Sequence, residues 1–392
     1  MARAMGRFRL DAGEVGAARE RAAALGTSAG VELARRARDG AGLADEELVA
    51  LLLAPDVGTD DLLALARARR PVGGPRVETF SPLYLTNECD AECFMCGMRR
   101  TNDDLVRETA DATTAEGQLD ILRQRGIRAV ALLTGEYHHG PVRERMIGRA
   151  AETLGAALAR GFVHVLVNIG ALEQGEYDTL LAHVPRRADG RVAPQVTMCT
   201  FQETYSPALY ARFMGTNPEN PRSDFTRRLE NFDRACDAGM WVANPGVLLG
   251  LNPDVGYELL ALLAHVRHLR RRGMEVYVSL PRLRKASGTP YAAGVSDDAL
   301  ARIVAVLSFG VPDAKVVIST REPPTMQRRL LPVIGVLTPG SPGVAPYTET
   351  GARFELEASQ FEVLDHRPIE VILGEHIAAG ATIDCFEPAA RA

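Results

Sequence analysis

From Glu78 onward, short β-rich runs alternate with long amphipathic stretches, and this alternation constrains the fold more than any other feature of the chain. The runs are PLYLTNE, AVALLTG, VHVLVNI, VTMCTFQ, WVANPGV, EVYVSLP, KVVISTR and GVLTPGS, eight in all. Between them lie helical patterns such as TTAEGQLDILRQRG, with a Thr113-x-x-Glu116 capping-box pattern, and SDFTRRLENFDRACDAG and YELLALLAHVRHLRRRG, which end at glycine. Parallel strands need crossover helices, so the pattern predicts an α/β chain with a (β/α)8 TIM-type barrel over residues 76–392. A shorter, open six-stranded barrel followed by an α/β tail is the rival arrangement. Residues 1–75 carry only helical spacing, as in EVGAARERAAAL, GVELARRA and DEELVALLLAP, and end at the Pro/Gly-rich RRPVGGPR. They are expected to form an N-terminal helical extension.

Composition removes several classes of function. The net charge of −5 leaves no electrostatic footprint for nucleic acid, and no basic block suggests an anionic membrane surface. A small-molecule substrate is expected instead. No apolar run approaches the roughly 18 residues that cross a bilayer, and MARAMGRFRLDAGEV lacks the apolar stretch of a signal peptide, so a cytoplasmic location is expected. Six cysteines are too few for a disulfide scaffold in a chain of 392 residues. Cys199, Cys236 and Cys385 are scattered singly and read as small apolar core residues.

The other three cysteines sit together. Cys89, Cys93 and Cys96 form a C-x3-C-x2-C run in CDAECFMC. Three thiolates on one short loop can hold three irons of a [4Fe–4S] cluster and leave the fourth open for S-adenosylmethionine (SAM). Structural zinc is the competing reading, but it usually takes four ligands in two separated pairs, and no second Cys or His pair appears. A non-catalytic binding protein whose cysteines hold zinc or nothing is the alternative from a different class. Reading each strand toward its C-terminal end gives Cys89, Thr134-Gly135-Glu136, Asn168, Gln202-Glu203, Asn244, Arg282, Thr320-Arg321 and Ser341. Active sites of barrel enzymes are built on that face, so these residues are expected to meet at one mouth. A free amino acid entering there needs a cation for its carboxylate, and Arg321 offers a bidentate fork, with Ser341 as a hydroxyl donor. An ion pair between Arg321 and Glu322 is the plainer alternative, as a core aromatic is for Tyr84.

The cysteine spacing resembles that of the radical SAM enzymes. The superfamily often has an aromatic residue before the third cysteine, where this chain has Met95, which can lie against adenine. The resemblance implies that Gly135 and Glu136 of LLTGEY approach the methionyl ammonium, and that Gln202 and Glu203 of FQETY serve the ribose. The NPGVLLG run, Asn244 to Gly250, offers backbone near the adenine, and Arg282 is expected on the cofactor side of the mouth. From about Phe80 to Phe386, the segments SPLYLTNECDAECFMC, SLPRLR, STREP and ASQFEVLDHRP resemble the aromatic amino acid lyases. These comprise the tyrosine lyases of thiamine and hydrogenase-cofactor biosynthesis and a tryptophan lyase, 3-methyl-2-indolic acid synthase. LLTGEY, NIGALEQ, VTMCTFQETY, RFMG and TPGSPGVAPY look most like the tryptophan lyase of nosiheptide-type thiopeptide pathways. The single Cys385 near the C-terminus agrees, because the hydrogenase-type enzyme carries a second cysteine cluster there.

By this resemblance Arg321 and Ser341 hold the tryptophan carboxylate and Tyr84 lies near the substrate. A 5′-deoxyadenosyl radical would take a hydrogen from the substrate amino group, after which the Cα–carboxyl bond breaks. The carboxyl fragment is recaptured at indole C2, and loss of the Cα–N unit leaves 3-methyl-2-indolic acid. An external electron donor such as flavodoxin or ferredoxin is implied. A related lyase acting on tyrosine or a modified aryl amino acid is the nearest alternative.

Overall fold

The computed structural model describes residues 6–289 and 294–388. Its strands are β1 (Arg76–Thr79), β2 (Ser81–Tyr84), β3 (Ala129–Leu133), β4 (His164–Asn168), β5 (Gln195–Glu203), β6 (Val242–Val247), β7 (Glu275–Ser279), β8 (Lys315–Ser319), β9 (Val336–Thr338) and β10 (Thr382–Asp384). All neighbours in the order β10-β1-β9-β8-β7-β6-β5-β4-β3-β2 pair in parallel. Three helices, α1 (Ala12–Arg38), α2 (Asp45–Leu53) and α3 (Thr59–Ala68), precede the sheet. Between strands run α4 (Ala112–Gln124), α5 (Pro141–Ala159), α6 (Glu176–Leu180), α7 (Pro207–Met214), α8 (Phe225–Leu229), α9 (Asn231–Asp237), α10 (Val255–Arg271), α11 (Asp297–Gly310) and α12 (Pro324–Leu330), with α13 (Ile369–Ala378) before β10.

One segment carries β2, at one end of the sheet, and β1, second from the other end beside β10. β1 and β2 are successive stretches separated by Phe80; β1 pairs with β9, whereas β2 pairs with β3. At the far end of this segment Tyr84 forms an isolated parallel bridge with Val344, and Ala345 N–H donates to the Tyr84 carbonyl at 3.3 Å. The segment therefore works as the first of eight barrel strands, and the eight runs expected from the sequence contain β2 to β9. β1 and β10 are additions to that expectation.

Inward and outward faces divide as the two-residue period requires. Val130 and Leu132 join the outer core beneath the helices, whereas Ala129 and Ala131 point inward. Phe80, Leu166, Val242, Tyr277, Val317 and Val336 complete an apolar plug inside the barrel. This plug fills the interior near the strands' N-terminal ends and leaves space only toward the C-terminal ends. Apolar runs exposed to neither side are the mark of parallel strands covered by helices.

Helix starts follow side-chain chemistry, with one correction. α4 begins at Asp111, whose carboxylate accepts from Thr114 N–H at 2.7 Å, and Thr113 lies inside the first turn. A short carboxylate reaches that N–H as well as a hydroxyl does and adds a favourable charge at the helix start. The stretch SDFTRRLENFDRACDAG forms two short helices, α8 and α9, joined at Glu230.

The first three helices pack on the barrel's outer helices. α1 lies across α2 at Gly26, where a Cβ would come within 2.5 Å of the Ala50 carbonyl oxygen. Arg302 of α11 donates to the carbonyls of Leu52 (2.8 Å), Ala54 (3.0 Å) and Val57 (2.6 Å) and so satisfies acceptors at the end of α2. Among the described residues no helix is long and apolar enough to cross a membrane.

Candidate active site

The cysteine loop starts where β2 ends. Leu85 N–H donates to the Leu133 carbonyl at 2.8 Å, and Asn87 then pins the chain. Its Nδ2 donates to the carbonyls of Val106 (2.8 Å) and Ala358 (3.1 Å), while its Oδ1 accepts from Glu108 N–H at 2.7 Å. Arg107 Nη1 donates to the carbonyls of Asn87 and Met98, 2.9 Å each. Gly135, just beyond β3, gives the loop room, since a Cβ there would lie 2.7 Å from both Cα and Cβ of Cys89 and closer still to the Glu88 carbonyl.

Cys89, Cys93 and Cys96 are free thiols that line one cavity. Burial pushes the Cys89 thiol up to about 11 and the Cys93 thiol up to about 12. Donors act in the other direction. The N–H groups of Ala91 (3.4 Å) and Glu136 (3.3 Å) face Cys89 Sγ, and the Arg222 charge favours the Cys93 thiolate. Gln360 Nε2 lies 3.5 Å from Cys96 Sγ. Such donors favour the anionic sulfur that a metal ligand must present. Among the described residues no three His, Cys, Asp or Glu side chains stand close enough to hold a single ion. An iron–sulfur cubane takes one thiolate per iron, so its ligands stand farther apart than those of a single ion.

The cavity has a volume of about 210 Å³ and opens to solvent. On one wall two carboxylates meet two guanidiniums. Glu136 accepts from Arg228 Nη1 at 2.9 Å and Ala171 N–H at 3.0 Å, with Arg222 Nε at 3.6 Å. Burial by itself raises the Glu136 carboxyl, but Arg228 and Arg222 outweigh it and hold it below the ordinary carboxylate range. Arg222 Nη2 also pairs with Glu203 at 2.7 Å. Glu203 stands at φ 68°, where the β5–β6 register shifts, a left-handed conformation that costs a non-glycine residue on the order of 1–3 kcal/mol.

On the opposite wall Arg321 continues β8. Its guanidinium stacks on Phe361, 3.3 Å from the ring centroid, and Nη1 donates to the Arg282 carbonyl at 3.3 Å. Among the described residues no carboxylate pairs with it, because neighbouring Glu322 is taken by Arg282 and Arg284. Burial lowers the Arg321 pKa to about 10, still a cation at neutral pH. Buried Tyr84 donates its phenolic O–H to Gln360 Oε1 at 2.6 Å.

Comparison with known proteins matches this architecture. Residues 279–370 match the Biotin and Thiamin Synthesis associated domain. The 2-iminoacetate synthase of Salmonella typhimurium is 29% identical over 314 residues, covering 78% of this chain and 77% of that protein. The X-ray structure of the FeFe-hydrogenase maturase HydG from Carboxydothermus hydrogenoformans superposes with a TM-score of 0.78 at 25% identity, covering 96% of this chain and 86% of that one. Its homologues are radical SAM enzymes. Methylornithine synthase (PylB), at 17% identity and a TM-score of 0.69 over 91% of this chain and 97% of that one, shares the fold.

Radical SAM homologues use a [4Fe–4S] cluster and SAM, and the three free cysteines with sulfur-directed donors fit the cluster. The cavity gathers Tyr84, Met95, Gly135, Glu136, Glu203, Asn244 and Arg321 with the cysteines, along with Thr134, Asn168 and Thr320. Three residues expected at this mouth do not line it. Gln202 faces away from the barrel axis toward the Phe225 carbonyl at 3.5 Å, because Cys199, Phe201 and Glu203 take the inward positions of β5. Arg282 pairs with Glu322 and with Asp297 (2.7 Å) and donates to the Val295 carbonyl (2.7 Å), so it acts as a scaffold. Ser341 donates to the Arg353 carbonyl at 2.7 Å; Thr338 lines the cavity instead. Sequence reasoning also missed Arg222, Arg228, Gln360 and Phe361, which come from loops and a short helix.

Proposed function

We propose that this chain is a radical SAM carbon–carbon lyase that converts L-tryptophan to 3-methyl-2-indolic acid. The observation that carries the reading is Arg321, a half-buried cation with no carboxylate partner among the described residues, in the same cavity as Cys89, Cys93 and Cys96. When bound, the cluster and SAM supply an electron and a 5′-deoxyadenosyl hydrogen-abstracting radical. Cys89, Cys93 and Cys96 would hold the cluster; Gly135, Met95 and Glu203 are the SAM contacts best supported by their position. Glu136 is already engaged by Arg228 and Ala171, so it offers a cationic group its field more than a free lone pair.

Arg321 takes the substrate carboxylate through its fork, with the guanidinium plane held by Phe361. Tyr84, fixed by Gln360, orients the substrate beside the cysteine loop. The same cation then has a second task once the Cα–carboxyl bond has broken. It retains the anionic fragment near indole C2, a proximity effect that needs no new bond to the protein. Phe80, Ala131, Leu133 and Val317 line the cavity with apolar surface and exclude water that would quench a radical. Flavodoxin or ferredoxin in a cytoplasmic setting would supply the electron.

The tryptophan assignment draws on the thiopeptide-type motifs LLTGEY, VTMCTFQETY and TPGSPGVAPY. A tyrosine lyase is the second reading, favoured by relatives named 2-iminoacetate synthase. Anaerobically reconstituted protein with SAM, reductant and each amino acid separates the two. Deoxyadenosine with 3-methyl-2-indolic acid from tryptophan supports the proposal, whereas p-cresol and 2-iminoacetate from tyrosine overturns it.

A further inference from the structure

Each cysteine sulfur has different company. Cys89 faces two backbone N–H groups, and Cys93 has the charge of Arg222. Cys96 faces a side chain, the Gln360 amide, at 3.5 Å. That amide is held at both ends: Oε1 accepts the Tyr84 hydroxyl at 2.6 Å, while Nε2 points at Cys96 Sγ. A metal-bound thiolate can only accept, so a carbonyl turned toward it would be repelled and the amide N–H must face it. Tyr84 then has to be the donor to the carbonyl. The orientation thus follows from the chemistry of both neighbours.

The backbone beneath Gln360 is equally fixed. Gly97 N–H donates to the Gln360 carbonyl at 3.1 Å, and Gln360 N–H donates to the Pro342 carbonyl at 3.3 Å. Asn87 holds the Ala358 carbonyl, and Gly343 bridges Ser359. The next residue, Phe361, carries the Arg321 guanidinium. One short segment therefore touches the cysteine loop through Gln360 and the carboxylate site through Phe361.

We infer that Gln360 is a positioning residue that sets the reduction potential of the cluster and ties Cys96 to the Tyr84 phenol. The inference rests on the cluster reading above. An N–H directed at a ligating sulfur stabilises the more negative, reduced cluster and raises its potential. Among the described residues Gln360 is the only side-chain N–H donor to a sulfur of this loop, and so the only one that a substitution can remove.

The test is a potentiometric titration followed by electron paramagnetic resonance. The full-length wild-type protein, Gln360→Met, Gln360→Ala and Tyr84→Phe are reconstituted anaerobically without SAM or amino acid, and iron and sulfide are counted for each. Gln360→Met keeps the length of the side chain and removes the N–H. Its midpoint should move negative at wild-type iron content, Gln360→Ala should move the same way, and Tyr84→Phe should move less because the N–H remains. Should the Met variant fold poorly, the Ala variant decides. Loaded Gln360 variants with wild-type midpoints overturn the inference and leave the cluster reading standing. A wild-type chain that takes up no iron–sulfur cluster overturns the cluster reading first and this inference with it.

Discussion

Arg321 carries its charge into the cavity, its guanidinium held by a ring and a carbonyl and paired with no carboxylate among the described residues, and that makes it the residue with the clearest mutational signature. Charge-assisted hydrogen bonds contribute about 1.5–3 kcal/mol, so Arg321→Ala should weaken tryptophan binding about 10- to 100-fold, read by equilibrium binding. Products should shift toward uncoupled or decarboxylated species, since the fork that would retain the fragment is gone. Arg321→Lys should recover little, because a point charge reproduces neither the fork nor the stack on Phe361. Unchanged affinity and products in the Ala variant would remove Arg321 from the substrate site. Cys93→Ala should abolish SAM cleavage; retained deoxyadenosine formation would contradict the cluster assignment. At this scale the sequence was partly legible. The cysteines and Arg321 stand in spacings that carry chemistry, and the period of two on β5 already separates Glu203 from Gln202. Gln360 and Arg222 carry no such signal, because long-range packing alone brings them to the sulfurs.

Among the elements, β3 and the cysteine loop are coupled by contact. Gly135 leaves no space for a methyl group beside Cys89, so Gly135→Ala must push the loop. Overpacking of this kind costs about 1–3 kcal/mol, and iron per chain should fall more sharply than thermal stability does. A Gly135→Ala protein with wild-type iron content would mean that the loop has slack the contacts do not suggest. Strands β2 to β9 were legible because buried parallel strands read as continuous Val, Leu and Ile runs. The start of α4 was misread by two residues, since the Asp111 carboxylate caps Thr114 N–H and starts the helix before Thr113. Short β1 and β10 escaped because RVET and TID each set a single strongly apolar residue among polar or charged ones and so read as no apolar run. The register shift at Glu203 leaves no trace in residue type.

For the whole molecule, two buried histidines contribute to the expected acid response. Burial, with the charge of Lys315, lowers His164 to about 3, and burial lowers His265 to about 3. Below the ordinary histidine value near 6.5, the unfolded chain takes up protons that these folded sites refuse. Stability is therefore fully present above about pH 6.5 and declines as pH falls toward 3, by at most about 1.4 kcal/mol per pH unit for each histidine. His164→Gln, which can keep a hydrogen bond to Thr197 (2.7 Å in the native pair), should flatten that limb in denaturant titrations. An unchanged slope would mean that His164 protonates in the folded state. The central claim, that one cavity makes a radical and holds the migrating carboxyl fragment, is tested most directly with tryptophan labelled by carbon-13 in its carboxyl group. The anaerobic reaction should place the label in the 2-carboxylate of 3-methyl-2-indolic acid; label found only in carbon dioxide, formate or an imino acid would contradict it.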